Sequence, residues 1–146
     1  MDAVMSEVDD LSDAAARGDL QRARGLLEDG ADPNAANSNG RTAIQVMMMD
    51  DAKMAQLLLD YSANPNVPDP DSGRFPAHDA AQQGFLHTLI VLLNGKAHIH
   101  IPDRSGRLPL NLAPDHIVAA LQSRGIVSES EKRIMQETME PMIRLH

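Results

Sequence analysis

The sequence predicts an all-α repeat solenoid, built from short paired helices stacked in four units. Three observations carry this. Gly-Arg dipeptides recur at Gly40-Arg41, Gly73-Arg74 and Gly106-Arg107, with the same interval both times. Between them, apolar residues three and four positions apart mark short helical stripes, punctuated by glycines and Asn/Asp/Pro turns. Aromatics are nearly absent, with only Phe75, Phe85 and Tyr61 in 146 residues. Ala, Leu and Met must therefore do the packing, which suits small helices lying close together.

Residues 1–10 are polar and read as a flexible N-terminus, ahead of a four-repeat domain over 11–125. Repeat one covers about 11–39. Its first helix holds Leu11 and Ala14-Ala15, Gly18 closes it, and Leu20, Ala23, Leu26 and Leu27 form the inner stripe of the second. Gly30 is a helix stop, and Asn37-Ser38-Asn39-Gly40 is a turn cluster. Repeat two covers about 40–72, with a clear second helix through Leu57-Leu58-Leu59 and a stiff, acidic exit loop, Pro68-Asp69-Pro70-Asp71. Repeat three, about 73–105, is the most regular. Pro76 sits where its first helix begins, a position that tolerates the missing N–H. Repeat four, about 106–125, loses several residues around Pro114-Asp115-His116. The tail, 126–146, fits no repeat, and its stripe of Ile134, Met135, Met139, Met142 and Ile143 favours a docked capping helix over a disordered tail.

One unit breaks its own pattern. The first helices of repeats one and three carry small pairs, Ala14-Ala15 and Ala80-Ala81, whereas repeat two has Met47-Met48 and is one residue shorter there. Small residues let helices approach; methionine holds them apart. The expectation is a short first helix with exposed methionines.

Composition narrows the function. Without cysteine there are no disulfides or thiolate metal sites, and no apolar run is long enough for a bilayer. The acidic start is unlike a secretory or transit signal, so cytoplasm and nucleus are the expected locations. Net charge is −8, concentrated in residues 1–80, which hold 15 acids against six basic side chains. Nucleic acid is a poor partner for such a surface, and a basic protein surface is a better one. His87, His98, His100 and His116 have no completing acid or cysteine at ligand spacing, so no metal is assigned. No nucleophile–base arrangement or phosphate loop appears. The chain is therefore read as a monomeric binding protein with no cofactor and no small-molecule substrate.

The runs Ala14-Ala15-Ala16-Arg17-Gly18-Asp19, Asn37-Ser38-Asn39-Gly40-Arg41-Thr42-Ala43-Ile44-Gln45-Val46-Met47-Met48-Met49 and His78-Asp79-Ala80-Ala81-Gln82-Gln83-Gly84-Phe85-Leu86 resemble the ankyrin-repeat inhibitors of cyclin-dependent kinases four and six. Gly106-Arg107-Leu108-Pro109-Leu110 adds to the likeness, which covers about 11–125. It implies an ankyrin solenoid of four repeats, each a β-turn plus helix-turn-helix. It also implies a non-enzymatic inhibitor that binds the kinase beside its ATP cleft, opposite the cyclin, and misaligns the lobes. By that resemblance the kinase-binding residues are Gln45, Val46, Met47, Met48, Asp69, Asp79, Gly84 and Phe85, with Asp79 pairing to a kinase arginine. Met49 reads at least as readily as core filler. Gly40, Gly73, Pro76, His78 and Gly106 are read as structural, His78 in the slot of the ankyrin TPLH histidine with its usual Thr partner replaced by Phe75, which is expected to weaken that network. Gln21, Gln82 and His87 depart from the family pattern, which bears on affinity and partner choice. The rival readings are a generic ankyrin module that docks another basic protein and, more remotely, an inhibitory regulator of a transcription factor.

Overall fold

Each Gly-Arg dipeptide closes a turn with the same hydrogen bonding. The N–H groups of Asn37, Asp69 and Asp103 donate to the carbonyls of Arg41, Arg74 and Arg107 at 2.8, 2.8 and 2.9 Å. The side-chain Oδ1 of each then collects two backbone N–H groups from within its own turn. These turns separate the helices of a computed structural model that describes residues 7–127. In chain order they are α1 (Glu7–Arg17), α2 (Leu20–Glu28), α3 (Ala43–Val46), α4 (Ala52–Asp60), α5 (Pro76–Gln83), α6 (Leu86–Asn94), α7 (Pro109–Leu112) and α8 (Asp115–Ser123). No strand occurs among the described residues. The odd-numbered helices form one layer, with α1 on α3 and α5 on α7; α2, α4 and α6 form the other.

The first helices alternate long and short for a local reason. α1 and α5 end at Gly18 and Gly84, whose φ values of 73° and 77° close the helix and let the next N–H reach back, Asp19 to Ala14 O and Phe85 to Ala80 O, both at 2.9 Å. Repeats two and four have no glycine there. α3 stops after four residues because Met47 is extended (φ −60°, ψ 158°). α7 stops because Ala113 precedes Pro114 and is pushed to φ −74°, ψ 139°. Met48 and Pro114 occupy the matching corners. The Met48 methyl lies 2.7 Å from where a Gly18 Cβ would be, and Pro114 Cγ 3.9 Å from where a Gly84 Cβ would be.

The short first helix of repeat two is therefore present, but its methionines divide. Met48 is 46% exposed, whereas Met47 and Met49 are buried at 4% and 8%. The expectation of exposed methionines is corrected for Met47: once the helix ends at Val46, the extended chain turns that side chain inward, into volume that a further helical turn would have filled. α3 packs broadly on α1 and only thinly on α5, so the space opened by the missing turn lies on the α5 side.

Residues 7–10, assigned above to a flexible terminus, begin α1. Of the tail, only its first two residues are described. The Ile126 and Val127 amides bond back to Leu121 O, and Val127 is 1% exposed; the expected docked helix lies outside the described residues. Along the loops after the second helices, Asn34 and Asn66 form an amide ladder. Asn34 Nδ2 donates to Ser62 O at 2.9 Å and its Oδ1 accepts from Asn64 N at 2.6 Å. Asn66 repeats this with Lys96 O and His98 N at 3.0 and 2.9 Å.

Met47→Ala is expected to destabilise the protein by about 2–4 kcal/mol through a core cavity, and Met48→Ala by no more than about 0.5 kcal/mol, in urea unfolding. Gly73 (φ 71°) leaves no room for a Cβ, which would fall 2.7 Å from Arg104 Cγ. Gly73→Ala should cost about 1–3 kcal/mol. Gly25, inside α2 with nothing within 4 Å of its would-be Cβ, should give a gain of about 0.5–1 kcal/mol as alanine.

Candidate functional site

The thin α3–α5 junction leaves a shallow notch of about 10 Å³ on the turn side of the stack, lined by Gln45, Asp69, Arg74, Pro76 and Asp79. Three of the expected contact residues therefore converge: Gln45, Asp69 and Asp79. Gln45 is committed at both ends of its amide. Its Oε1 accepts from the Thr42 N–H at 2.7 Å and its Nε2 donates to Val67 O at 3.0 Å. The same slot recurs one repeat later in His78, whose Nδ1 accepts from the Phe75 N–H at 3.0 Å while Nε2 meets Arg107 O at 2.9 Å. An acceptor at Nδ1 and a donor at Nε2 require the neutral imidazole. The loss of a Thr partner does not weaken this network, because the Phe75 backbone supplies the donor and its ring stacks on the imidazole at 5.6 Å.

The carboxylates differ in charge environment. Asp69 accepts from Arg41 Nε at 2.8 Å and from the Asp71 and Ser72 amides at 2.8 and 3.1 Å. The Arg41 hydrogen bond lowers its pKa to about 2. Arg41 also binds Asp71 at 2.9 Å, and Arg104 donates to the Asp71 and Pro70 carbonyls at 2.6 and 2.8 Å. Asp69 is thus the anchor of a clamped loop. Asp79, in the first turn of α5, is half-buried and has its pKa raised by that burial, against a lowering pull from Arg74. Arg74 Nε lies 3.2 Å from Asp79 Oδ1, yet makes no hydrogen bond. Its Nη2 instead donates to Gln82 Oε1 at 2.6 Å. Gln82, one of the family departures, therefore draws Arg74 aside and leaves Asp79 under-compensated; a second arginine at 82 would repel Arg74.

The remaining candidates lie elsewhere. Val46 is on the opposite side of α3, facing a groove along α1. Met48, Gly84 and Phe85 lie at the outer corner where first helices meet second helices, with Phe85 partly packed on the core. Met47 is inside. His87 is exposed and lines a separate cleft of about 480 Å³ with Asp50, Asp51 and Lys53, and Gln21 is exposed on α2. No group of three or more potential metal ligands is present among the described residues. The pairing of Arg41 and Arg74 with these carboxylates carried no signal in the sequence beyond the recurrence of Arg after Gly, and neither did the bond from Arg74 to Gln82.

The family described as ankyrin repeats (3 copies) matches residues 11–103. The chain is 52% identical over 105 residues to the human protein named cyclin-dependent kinase 4 inhibitor B, covering 72% of this chain and 76% of that one. It is 49% identical over 113 residues to cyclin-dependent kinase inhibitor 2A of Monodelphis domestica, covering 75% of this chain and 66% of that one. The human protein of that second name is 52% identical over 105 residues, 72% and 67% of the two chains.

Burial holds the His78 pKa below the ordinary 6.5, so the unfolded chain binds that proton first. The His78 contribution to stability is complete above about pH 6.5 and declines as pH falls below it. Since Gln45 makes the equivalent pair of bonds with an amide, His78→Gln should keep the fold and flatten unfolding midpoints measured between about pH 7 and 5. His78→Ala should lower them at every pH. Arg41→Gln should return the Asp69 carboxyl, followed by NMR titration, from about 2 toward its ordinary 3.8.

Proposed function

Because this chain belongs to the ankyrin-repeat inhibitors of cyclin-dependent kinases, we propose that it binds and inhibits cyclin-D-dependent kinases four and six. It is a protein inhibitor, not an enzyme. Its turn-and-first-helix face lies against the kinase beside the ATP cleft, opposite the cyclin, and spans both lobes. Phosphoryl transfer depends almost wholly on positioning the nucleotide and the substrate hydroxyl, so a small rotation between lobes is enough to stop it. Held in that state, the kinase loses productive cyclin D docking, its retinoblastoma-type substrates stay unphosphorylated, and cells stay in the first gap phase. The protein acts as a monomer in cytoplasm and nucleus.

One observation supports the reading above the rest: Asp79, half-buried at the mouth of the notch, is destabilised as an anion and only loosely held by Arg74. An arriving kinase guanidinium in hydrogen-bond geometry relieves that under-compensation, which gives the pair more value than an ordinary surface ion pair. Asp69 contributes differently. Clamped by Arg41, it fixes the shape of the loop that the kinase meets, and Gln45 fixes the notch wall through Val67. Met48 is the exposed thioether at the corner of repeats one and two, a polarizable surface that adapts to an apolar partner patch. Met47 supports it from beneath.

Asp79→Asn should weaken binding to kinases four and six by about 2–5 kcal/mol while moving the melting temperature by only about 2 °C or less. Calorimetric titration and thermal unfolding of the same samples separate the two. Equal losses in both would make Asp79 structural, and no measurable affinity of the unmodified chain for either kinase would favour the generic ankyrin module.

A further inference from the structure

Beside α3, on the side away from the notch, a second open groove of about 570 Å³ runs between α1 and the first turn. Asp9, Ser12, Asp13 and Ala16 present one face of α1 to it, as their spacing of three and four dictates. Val46 and the 37–39 turn form the other side, and none of the described residues lining it is basic. The Asp9 carboxylate holds the turn in place, accepting from the Ser38 N–H at 3.0 Å and from its hydroxyl at 3.3 Å. Asp13 has an exposed contact with Arg17, one helical turn away at 3.1 Å, a type of pair worth little in water. Ser12 is the telling residue. It is 4% exposed, and its Oγ has no hydrogen-bond partner. A buried hydroxyl left unmatched carries a cost that a ligand can remove.

Resting on the kinase-binding reading above, we infer that this groove receives a basic side chain of the bound kinase. The lysine or arginine lays its aliphatic stem over Ala16 and Val46, as amphipathic side chains do. Its charged head donates to the Asp13 carboxylate and the Ser12 hydroxyl. α3 then separates two cation sites on one face, with Gln45 walling the Asp79 notch and Val46 walling this groove. A kinase surface laid across α3 meets both.

The test uses the full chain, kinase six, and three variants that leave the Asp79 notch untouched. Asp13→Asn should weaken kinase binding by about tenfold at low salt and by less at high salt. Ser12→Ala should weaken it by about threefold without lowering the melting temperature, since no intramolecular hydrogen bond is broken. Removing the competing cation by Arg17→Gln should leave binding equal or tighter, whereas a merely structural Asp13–Arg17 pair would make the Arg17 and Asp13 variants behave alike. If Asp13→Asn and Ser12→Ala bind like the parent while Asp79→Asn does not, the groove inference is overturned and the kinase reading stands. If the parent chain binds no kinase, the kinase reading fails, and N-acetylarginine methylamide decides the groove by NMR titration. Amide shifts confined to residues 12–16 and 37–46, and lost in Asp13→Asn, keep the groove as a cation site. Absent or diffuse shifts discard it.

Discussion

A stack of helix pairs touches only its neighbours, so its register depends on what each repeat hands to the next. Here one position does this. Gln45, His78 and Asn111 occupy equivalent places in successive repeats, and each accepts the N–H at the start of its own first helix. Gln45 and His78 also reach forward to the carbonyls of Val67 and Arg107. A buried polar side chain that misses its partner is costly, so His78 reaches Arg107 only when repeats three and four are seated in one register, while Gln45 ties α3 to the exit loop of its own repeat. Apolar packing of alanine and leucine layers would tolerate sliding; the polar slot does not. Asn111 shows the end of the series: its Oδ1 is used, but its Nδ2 is buried and without a partner.

The period, the helix pairs and the shortened α3 were legible in the sequence because they are local and repeated. Glycine at the end of a first helix, or its absence, decides the length of that helix, and a count between punctuation marks detects it. The orientation of Met47 was not legible. Once a helix ends, the next side chain no longer follows helical period, and its facing is set by the path to Asp51, which caps α4 by accepting the Met54 N–H. The ionic partners were hidden for a different reason. Arg41 meets Asp69 and Asp71 from the opposite end of the same repeat, a relation no local pattern encodes. The roles of Asp69 and Asp79 were therefore weighed from the sequence without knowing that one is clamped and the other loosely held.

That asymmetry organises the electrostatics of the turn face. The first half of the chain carries a strong excess of acid, yet the acids are not equivalent. Asp69 is held well below the usual carboxylate range by Arg41, while burial pushes Asp79 upward. Each carboxylate satisfied within the chain stabilises the turns and has little left for a partner. The under-compensated one stores interaction energy that only an incoming cation releases. Under the proposed function, fold and recognition draw on different members of one acidic set, which lets a strongly charged surface still be specific.

α3 joins the two functions. Four residues do not make a stable helix by themselves. Its position is fixed by Met47 and Met49 beneath it and by Gln45 tied to the following loop, not by helix propensity. A full helical turn with a closing glycine, as in repeats one and three, would strengthen the stack and fill the space on the α5 side. It would also close the notch, remove the exposed Met48 corner and separate Gln45 from Asp69. In the proposed binding mode stability is given up at this layer in exchange for a recognition surface, and the residues that make it weak are those that give it shape. Changes that regularise α3 should therefore trade binding for stability, whereas changes in the amide ladder of Asn34 and Asn66, away from this face, should alter stability alone.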